Sequence, residues 1–229
     1  MNCPECGSNL LHGHKLIDDT VLPMKNKSKI IYPKCSVCGR HIQVPDIEEN
    51  ISVSRNVLLI SGTAGAGKSA LGQLIESKSD YIFIDGDAIS KRVNHYARLD
   101  PSAVVPDYQM ETIRTMLVLL GLGYDVVVGY VINQEVLRWY CEGLARYQIT
   151  PVFRVLVPER NVCLQRDIDR ECWTAGAEYV DRWYDEQRVY LRTDPEICID
   201  SSQEALADTF AKHFHAIRLK DKSLDMLDI

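Results

Sequence analysis

The stretch Val57–Ser69, VLLISGTAGAGKS, decides the fold of this chain. Its opening residues, VLLIS, form a continuous apolar run, which is typical of a strand buried on both faces of a parallel sheet. The residues that follow, GTAGAGKS, match the pattern G-x-x-x-x-G-K-[ST] at every position. A helical pattern then runs from Lys68 to about Lys78. We therefore predict a strand, a glycine-rich loop and a helix in direct succession.

This glycine-rich loop is a candidate phosphate-binding site. Glycines let the backbone curl so that several N–H groups point at one phosphate, and the start of the helix adds partial positive charge there. Lys68 would reach the β- and γ-phosphates of a nucleotide, and the Ser69 hydroxyl would bind Mg²⁺. A ligand-free strand–helix turn is the alternative, which the added Lys-Ser disfavours. The residues expected to hold ATP are Gly62, Thr63, Ala64, Gly65, Ala66, Gly67, Lys68 and Ser69.

Strand and helix patterns alternate along the rest of the chain. Further apolar strand patterns occur at 81–84, 125–131, 152–157 and 196–199. Helical patterns occur at 109–122, 134–147, 160–192 and 202–214. Such alternation is typical of a parallel sheet that is covered by helices on both faces. We predict one α/β domain over residues 51–219.

Two carboxylates, Asp85 and Asp87, follow the second of these strands. Ligands bind at the carboxyl ends of strands in open α/β sheets, so both are candidate site residues. One carboxylate can hold Mg²⁺, and the other can accept the proton of an attacking substrate hydroxyl. Gly86 would let the chain turn tightly between them. The alternative is a polar turn at the end of a strand, for which Asp-Gly is ordinary.

The phosphate loop, followed by the stretch FIDGDAIS, resembles the small P-loop kinases. These include shikimate, gluconate, adenylylsulfate and chloramphenicol kinases and the broader zeta-toxin-like group. The resemblance covers about residues 57–215 and implies a five-stranded parallel sheet of order 2-3-1-4-5. It also implies that Asp85 is the metal-side carboxylate and Asp87 the substrate-side base. One departure is that the strand at 125–131 lacks the acidic residue that many P-loop proteins carry at its end.

An arginine-rich segment follows the strand at 152–157. Arg166 and Arg170 are four residues apart, so they share one face of a helix. The resembling kinases carry their lid arginines in this segment, and a guanidinium there could stabilise charge on the transferred phosphate. The alternative is a solvated helix with weak surface ion pairs. The candidate catalytic residues are therefore Lys68, Asp87, Arg166 and Arg170.

Eight cysteines divide into two groups. Two C-x-x-C-G turns near the start of the chain suit a tetrahedral structural Zn²⁺ site, and their pairing disfavours a redox motif. Residues 1–46 have few large apolar groups, so metal binding would supply their stability. We predict a zinc-ribbon module over 1–46, with the ligands Cys3, Cys6, Cys35 and Cys38. The other cysteines, expected to be apolar fillers, are Cys141, Cys163, Cys172 and Cys198.

Charge and hydropathy restrict the class of protein. The chain has 26 Lys and Arg against 32 Asp and Glu, and this net charge of -6 makes nucleic-acid binding improbable without excluding it. Its apolar runs are shorter than the roughly 20 residues that a spanning helix needs. The first residues lack the basic and apolar regions of a secretory signal. We expect a cytoplasmic protein whose zinc ribbon contacts a protein partner or stabilises the chain.

The function that this pattern favours is ATP-dependent transfer of the γ-phosphoryl group to a hydroxyl of a small molecule or nucleotide. Two alternatives stay open. One is an NTP-binding regulatory or adaptor protein that uses its zinc ribbon to dock a partner. The other is a kinase that acts on nucleic-acid ends. No motif in the sequence identifies the phosphate acceptor.

Overall fold

A computed structural model of the chain describes residues 21–23, 29–31, 51, 55–91, 108–170 and 174–217. The chain divides into two compact units. One takes in Gly86–Val126 and Trp139–Thr150 together with the chain up to Asn56. The other takes in Val57–Asp85, Val127–Arg138 and the chain from Pro151 onward, and it contains the phosphate loop.

The first two strands form a short antiparallel pair. Strand β1 is Val21–Pro23 and strand β2 is Lys29–Ile31, with Val21 opposite Ile31. In sequence, this pair lies between the two C-x-x-C turns of the predicted zinc ribbon. The four predicted zinc ligands lie outside the described residues.

The main sheet has five strands in the spatial order β4-β5-β3-β6-β7. Strand β3 pairs in parallel with β6, and β6 pairs in parallel with β7. Numbered from β3, the order is 2-3-1-4-5, which confirms the predicted α/β sheet. All six residues of β3 are buried, as its continuous apolar run requires. The five strands are β3 Val57–Gly62, β4 Tyr81–Asp85, β5 Asp125–Gly129, β6 Val152–Leu156 and β7 Cys198–Ile199.

Seven helices accompany these strands within the described residues, and residues 86–91 are also helical. The helical stretch at 160–192 consists of three separate helices. None of the described helices has the length and apolar character needed to cross a bilayer. The helices are α1 Lys68–Lys78, α2 Tyr108–Gly121, α3 Gln134–Ala145, α4 Arg160–Asp169, α5 Ala177–Gln187, α6 Tyr190–Thr193 and α7 Leu206–His213.

Two element ends differ from the predicted ones. Strand β5 ends at Gly129, and the backbone N–H and C=O of Ile132 bond to side chains. Helix α7 starts at Leu206, four residues later than the helical pattern in the sequence. The Ser202 hydroxyl accepts a hydrogen bond from the N–H of Glu159 at 2.7 Å.

The core cluster of the second unit packs on the face of β3 that carries Leu58 and Ile60. Its buried members come from the sheet, from α1 and from α7, and each fully buried Leu or Ile side chain contributes about 1.5–3 kcal/mol. They include Leu58, Ile60, Leu71, Ile75, Val127, Leu156, Ile199 and Phe210.

The cysteines outside the N-terminal segment are not all buried fillers. Cys163 is fully buried, whereas Cys198 is half-buried and Cys141 is exposed. The prediction for Cys141 is wrong because the buried stripe of α3 is Val136, Tyr140 and Leu144. Cys172 lies outside the described residues.

Candidate active site

The phosphate loop joins β3 to α1, as the sequence predicts. Its three glycines, Gly62, Gly65 and Gly67, all have positive φ, at 147°, 74° and 101°. Gly67 directly precedes α1, where the first backbone N–H groups have no partner within the helix. Together with the helix dipole, these groups make the loop suitable for binding an anion.

Gly65 has a second reason to be glycine. A Cβ at this position would collide with the backbone carbonyl oxygen of Cys163, in the first turn of α4. The phosphate loop therefore packs directly on the backbone of α4. Ala64 continues this contact in a small apolar cluster with Cys163 and Val180 of α5.

Lys68 folds back across the loop that precedes it. Its side chain is buried, and its ammonium group donates a hydrogen bond to the carbonyl oxygen of Thr63 at 2.8 Å. The Thr63 hydroxyl in turn donates to the carbonyl oxygen of Val180 at 2.9 Å. The loop is thus hydrogen-bonded both to its own lysine and to helix α5.

The packing of Phe83 places Asp85 near the start of α1. The Phe83 ring lies so close to Gly72 that a Cβ there would collide with it. The chain reverses direction after α1, so β4 runs back toward the start of that helix. Two residues of strand cover about 6.6 Å, which equals about four residues of helix. Asp85, on the same face of β4 as Phe83, therefore comes level with Lys68 and Ser69.

Gly129 ends β5 at the position where many P-loop proteins carry a carboxylate. A Cβ there would lie 3.0 Å from the Phe83 ring and 3.7 Å from Cβ of Lys68. The space beside Lys68 is thus taken by the aromatic ring, and a longer side chain does not fit without displacing it. Further along, Asn133 accepts a hydrogen bond from the N–H of Val136 at 2.9 Å and caps α3.

Arg166 is directed at the turn after β7. Its guanidinium group donates to the carbonyl oxygen of Ser201 at 2.9 Å. The turn is closed by Asp200, whose carboxylate accepts the N–H of Ser202 at 2.9 Å. Arg166 therefore fixes this turn in the present structure.

Arg170 is paired within its own segment. Its guanidinium group forms an ion pair with Asp167, which is only 2% exposed. The Asp167 carboxylate also accepts the N–H groups of Ala175 and Gly176, at 2.9 Å and 3.0 Å. A solvated helix with weak surface pairs does not describe this arrangement. Arg166 lies in α4, whereas Arg170 follows the end of that helix in an extended conformation, so the prediction that both share one helix face is wrong.

The pKa of the buried Cys163 thiol depends on the charged side chains around it. Burial raises the pKa of this thiol to about 11, and the positive charges of Arg166 and Lys68 oppose the rise. The negative charge of Asp200 adds to it. Lys68 and Arg166 are far apart in sequence, but the positive charges of both lower the pKa of the same buried thiol.

Asp87 is partly buried and lies in the helical residues 86–91, which belong to the other compact unit. The predicted tight turn at Gly86 is wrong, because Gly86 already begins this helical stretch. No group of three or more His, Cys, Asp or Glu residues that could hold a metal occurs in the part of the chain that the structure describes.

A buried polar network that the sequence did not reveal joins β3, the end of β5 and α5. The Ser61 hydroxyl lies 2.6 Å from the side-chain oxygen of Gln187 and accepts the N–H of Ile132 at 2.8 Å. The Gln187 amide donates to the carbonyl oxygen of Ile132 at 3.3 Å. Ser61 and Gln187 are almost completely buried. Ser61 belongs to the run that predicts a buried strand, but no local pattern pairs it with Gln187.

Solved structures with similar folds have low sequence identity to this chain. A gluconokinase from Sinorhizobium meliloti 1021 is 18% identical with a TM-score of 0.50, and the match covers 70% of this chain and 89% of that one. A tunicamycin resistance protein from Deinococcus radiodurans is 17% identical with a TM-score of 0.48, over 73% and 99% of the two chains. A shikimate kinase from Bacteroides thetaiotaomicron is 15% identical with a TM-score of 0.44, over 68% and 93%.

No protein-family model matches the sequence, and no curated protein matches it either. At 18% identity, the likeness to gluconokinase concerns the fold alone. The roles of individual side chains therefore depend on the geometry of this chain.

Proposed function

We propose that this protein is an ATP-dependent phosphotransferase that moves the γ-phosphoryl group to a hydroxyl of a small molecule or nucleotide. The observation that supports the proposal is the glycine loop between β3 and α1, whose three glycines have positive φ and which leads into Lys68 and Ser69. We propose that Asp85, at the carboxyl end of β4 in the same sheet, belongs to the same site. The folds of the similar solved structures support the same proposal.

The residues at the start of α1 fit a magnesium ion. The Ser69 hydroxyl and the Asp85 carboxylate offer the hard oxygen ligands that Mg²⁺ prefers, and the packing of Phe83 brings them to the same level. When bound, Mg²⁺ would neutralise charge on the β- and γ-phosphates. Because Gly129 supplies no carboxylate, we propose that Asp85 is the metal-side acid.

Lys68 and the loop N–H groups would bind the phosphates and stabilise the charge that develops during transfer. Asp87 would accept the proton of the attacking hydroxyl. Arg166 would contact the nucleotide from the side of the Ser201 turn. Arg170 would contribute to transfer by exchanging Asp167 for a phosphate oxygen.

The test compares Lys68→Met with Lys78→Met, an exposed lysine at the end of the same helix. The wild-type protein is incubated with Mg·ATP and a panel of sugars, polyols and nucleosides, and phosphorylated products are detected by ³¹P NMR. We expect Lys68→Met to lose transfer by at least about a hundredfold, while Lys78→Met matches the wild type. Full activity in Lys68→Met would contradict the proposal.

One observation favours the regulatory alternative, in which the protein binds NTP without transferring phosphate. With glycine at position 129, the end of β5 offers no acid to orient an attacking group. ATP binding without phosphate transfer to any member of the panel would support this alternative. Action on nucleic-acid ends has less support, given the net charge of -6, and would require salt-dependent binding of RNA or DNA.

We also propose that Cys3, Cys6, Cys35 and Cys38 bind one structural zinc ion. Support comes from the spacing of the two C-x-x-C turns and from the β1–β2 pair between them in sequence. A ribbon over residues 1–46 would be a separate module that docks a protein partner or stabilises the chain. The phosphotransferase domain would then cover residues 51–219.

A further inference from the structure

Asp167 is a buried carboxylate with an unusual set of partners. It lies near the end of α4, and its two oxygens accept the N–H groups of Ala175 and Gly176. Arg170 completes the set as an ion pair. A buried charge is strongly unfavourable unless it is paired and hydrogen-bonded, so these contacts determine where residues 175–176 lie.

Residues 175–176, whose N–H groups bond to Asp167, lead directly into α5. Gly176 has a φ of 86°, which turns the chain into the helix that begins at Ala177. Nothing lies within 4 Å of a Cβ at this glycine, so its role is conformational. The Asp167 carboxylate therefore fixes both the position and the direction of the start of α5.

Helix α5 in turn holds the phosphate loop. Val180, one turn into the helix, packs against Ala64 and accepts the hydrogen bond of the Thr63 hydroxyl. The carbonyl oxygen of the same Thr63 accepts the hydrogen bond of Lys68. At its other end, α5 is bound to the strand before the loop through Gln187.

These contacts form one continuous connection from Asp167, through the backbone of residues 175–180, to Thr63 and Lys68. We propose that Asp167 is a positioning residue that sets the nucleotide-binding conformation of the phosphate loop through helix α5. This inference rests on the proposed nucleotide site. The effect on the phosphate loop comes from the hydrogen bonds that Asp167 accepts from the two backbone N–H groups. The ion pair with Arg170 compensates the buried charge.

The chain offers a matched control for this proposal. Arg160 of α4 and Asp181 of α5 form an ion pair between these two helices, with contacts of 2.5 Å and 2.8 Å. Both side chains are substantially exposed, and neither belongs to the connection to Thr63. Removing the Asp181 carboxylate therefore weakens the α4–α5 contact without releasing residues 175–176.

The experiment measures the dissociation constant of a fluorescent ATP analogue with Mg²⁺, well below the melting temperature of each full-length variant. We expect Asp167→Ala to weaken binding about tenfold, the effect of losing a charge-assisted hydrogen bond of roughly 1.4 kcal/mol. Asp167→Asn keeps an oxygen for the two N–H groups, so its affinity should stay within about threefold of wild type. Asp181→Ala should stay within about twofold.

A second pair of variants tests the other end of the connection and remains informative if Asp167→Ala does not fold. Val180→Ala removes the buried side chain that packs against Ala64 and leaves the residues of the phosphate loop unchanged. Val189→Ala, at an exposed valine just after the same helix, is its control. We expect only Val180→Ala to bind the analogue more weakly, by about tenfold.

Three results would overturn the inference: nucleotide affinity of Asp167→Ala within about twofold of wild type, equal losses in Asp167→Ala and Asp181→Ala, or equal affinities of Val180→Ala and Val189→Ala. A lowered melting temperature with unchanged affinity would show a purely structural role. Failure of the wild-type protein to bind the analogue would instead overturn the proposed function itself.

Discussion

Gly65 and Gly67 both have positive φ, but only one of them is confined by its neighbours. A Cβ at Gly65 would collide with the carbonyl oxygen of Cys163, whereas a Cβ at Gly67 would meet nothing within 4 Å. The motif predicts glycine at both positions from backbone conformation. Only the packing of the loop on α4 distinguishes them.

We therefore expect Gly65→Ala to lower the free energy of unfolding more than Gly67→Ala. Both variants carry the backbone strain, about 1–2 kcal/mol, and Gly65→Ala adds an overpacking cost of about 1–3 kcal/mol. Urea denaturation of the two variants checks the difference. Equal destabilisation would show that the loop moves away from Cys163 at little cost.

The Cys163 thiol predicts a loss of stability at alkaline pH. Burial raises its pKa from an ordinary 9.0 to about 11 in the folded chain. The unfolded chain therefore releases this proton first, so the stabilisation is complete below about pH 9 and is lost as the pH rises to about 11. Across this pH range, the melting temperature of Cys163→Ala should fall less steeply than that of wild type.

Tyr190 contributes in the same direction, since burial raises its pKa to about 12. The loss of stability that Tyr190 causes therefore extends to higher pH, and it persists in the Cys163→Ala variant. Identical pH profiles for wild type and Cys163→Ala would contradict the assignment of the decline to the thiol.

At the scale of elements, helix α5 is attached to the sheet by buried polar groups. Ser61, Gln187 and the backbone of Ile132 satisfy one another with almost no exposure to solvent. Leaving one buried polar group without its partner costs about 1–3 kcal/mol, whereas replacing both partners by apolar groups costs less.

We expect Gln187→Met to lower the free energy of unfolding by about 1–3 kcal/mol. The double variant Ser61→Ala/Gln187→Met should cost less than the sum of the two single variants, with a coupling energy of about 0.5–3 kcal/mol. Chemical denaturation of the three variants gives this coupling. Strict additivity would show that the two side chains act independently.

The length and order of most elements follow from hydrophobic periodicity. Helix α1 occupies the predicted residues Lys68–Lys78, and β3 is fully buried as expected. Gly176 indicates a break in the helical pattern at 160–192, and the chain breaks there between α4 and α5. The buried Asp167 that holds residues 175–176 is not visible in a local pattern.

For the whole molecule, the proposed zinc and phosphate sites occupy different parts of the chain. We expect metal analysis of the purified protein to find about one zinc per chain. The double variant Cys3→Ser/Cys35→Ser should lose this metal, because each substitution removes one thiolate ligand. Its affinity for nucleotide should stay near that of wild type, since the phosphate loop belongs to the other compact unit.

Cys141→Ser is the control for this experiment, because Cys141 is an exposed cysteine far along the chain. It should retain the full zinc content. Zinc-free wild-type protein would contradict the proposed ribbon and leave the phosphate site unaffected.

Apolar runs and glycine spacing in the sequence predict the place of the phosphate loop, and a resemblance carried by short motifs predicts the sheet order. All of these signals are local along the chain. The tertiary structure alone decided the partners of the charged groups. Arg166 bonds to Ser201, Arg170 pairs with a buried Asp167, and the Phe83 ring fills the space beside Gly129. The physical reason is that burial and pairing depend on which distant segments meet.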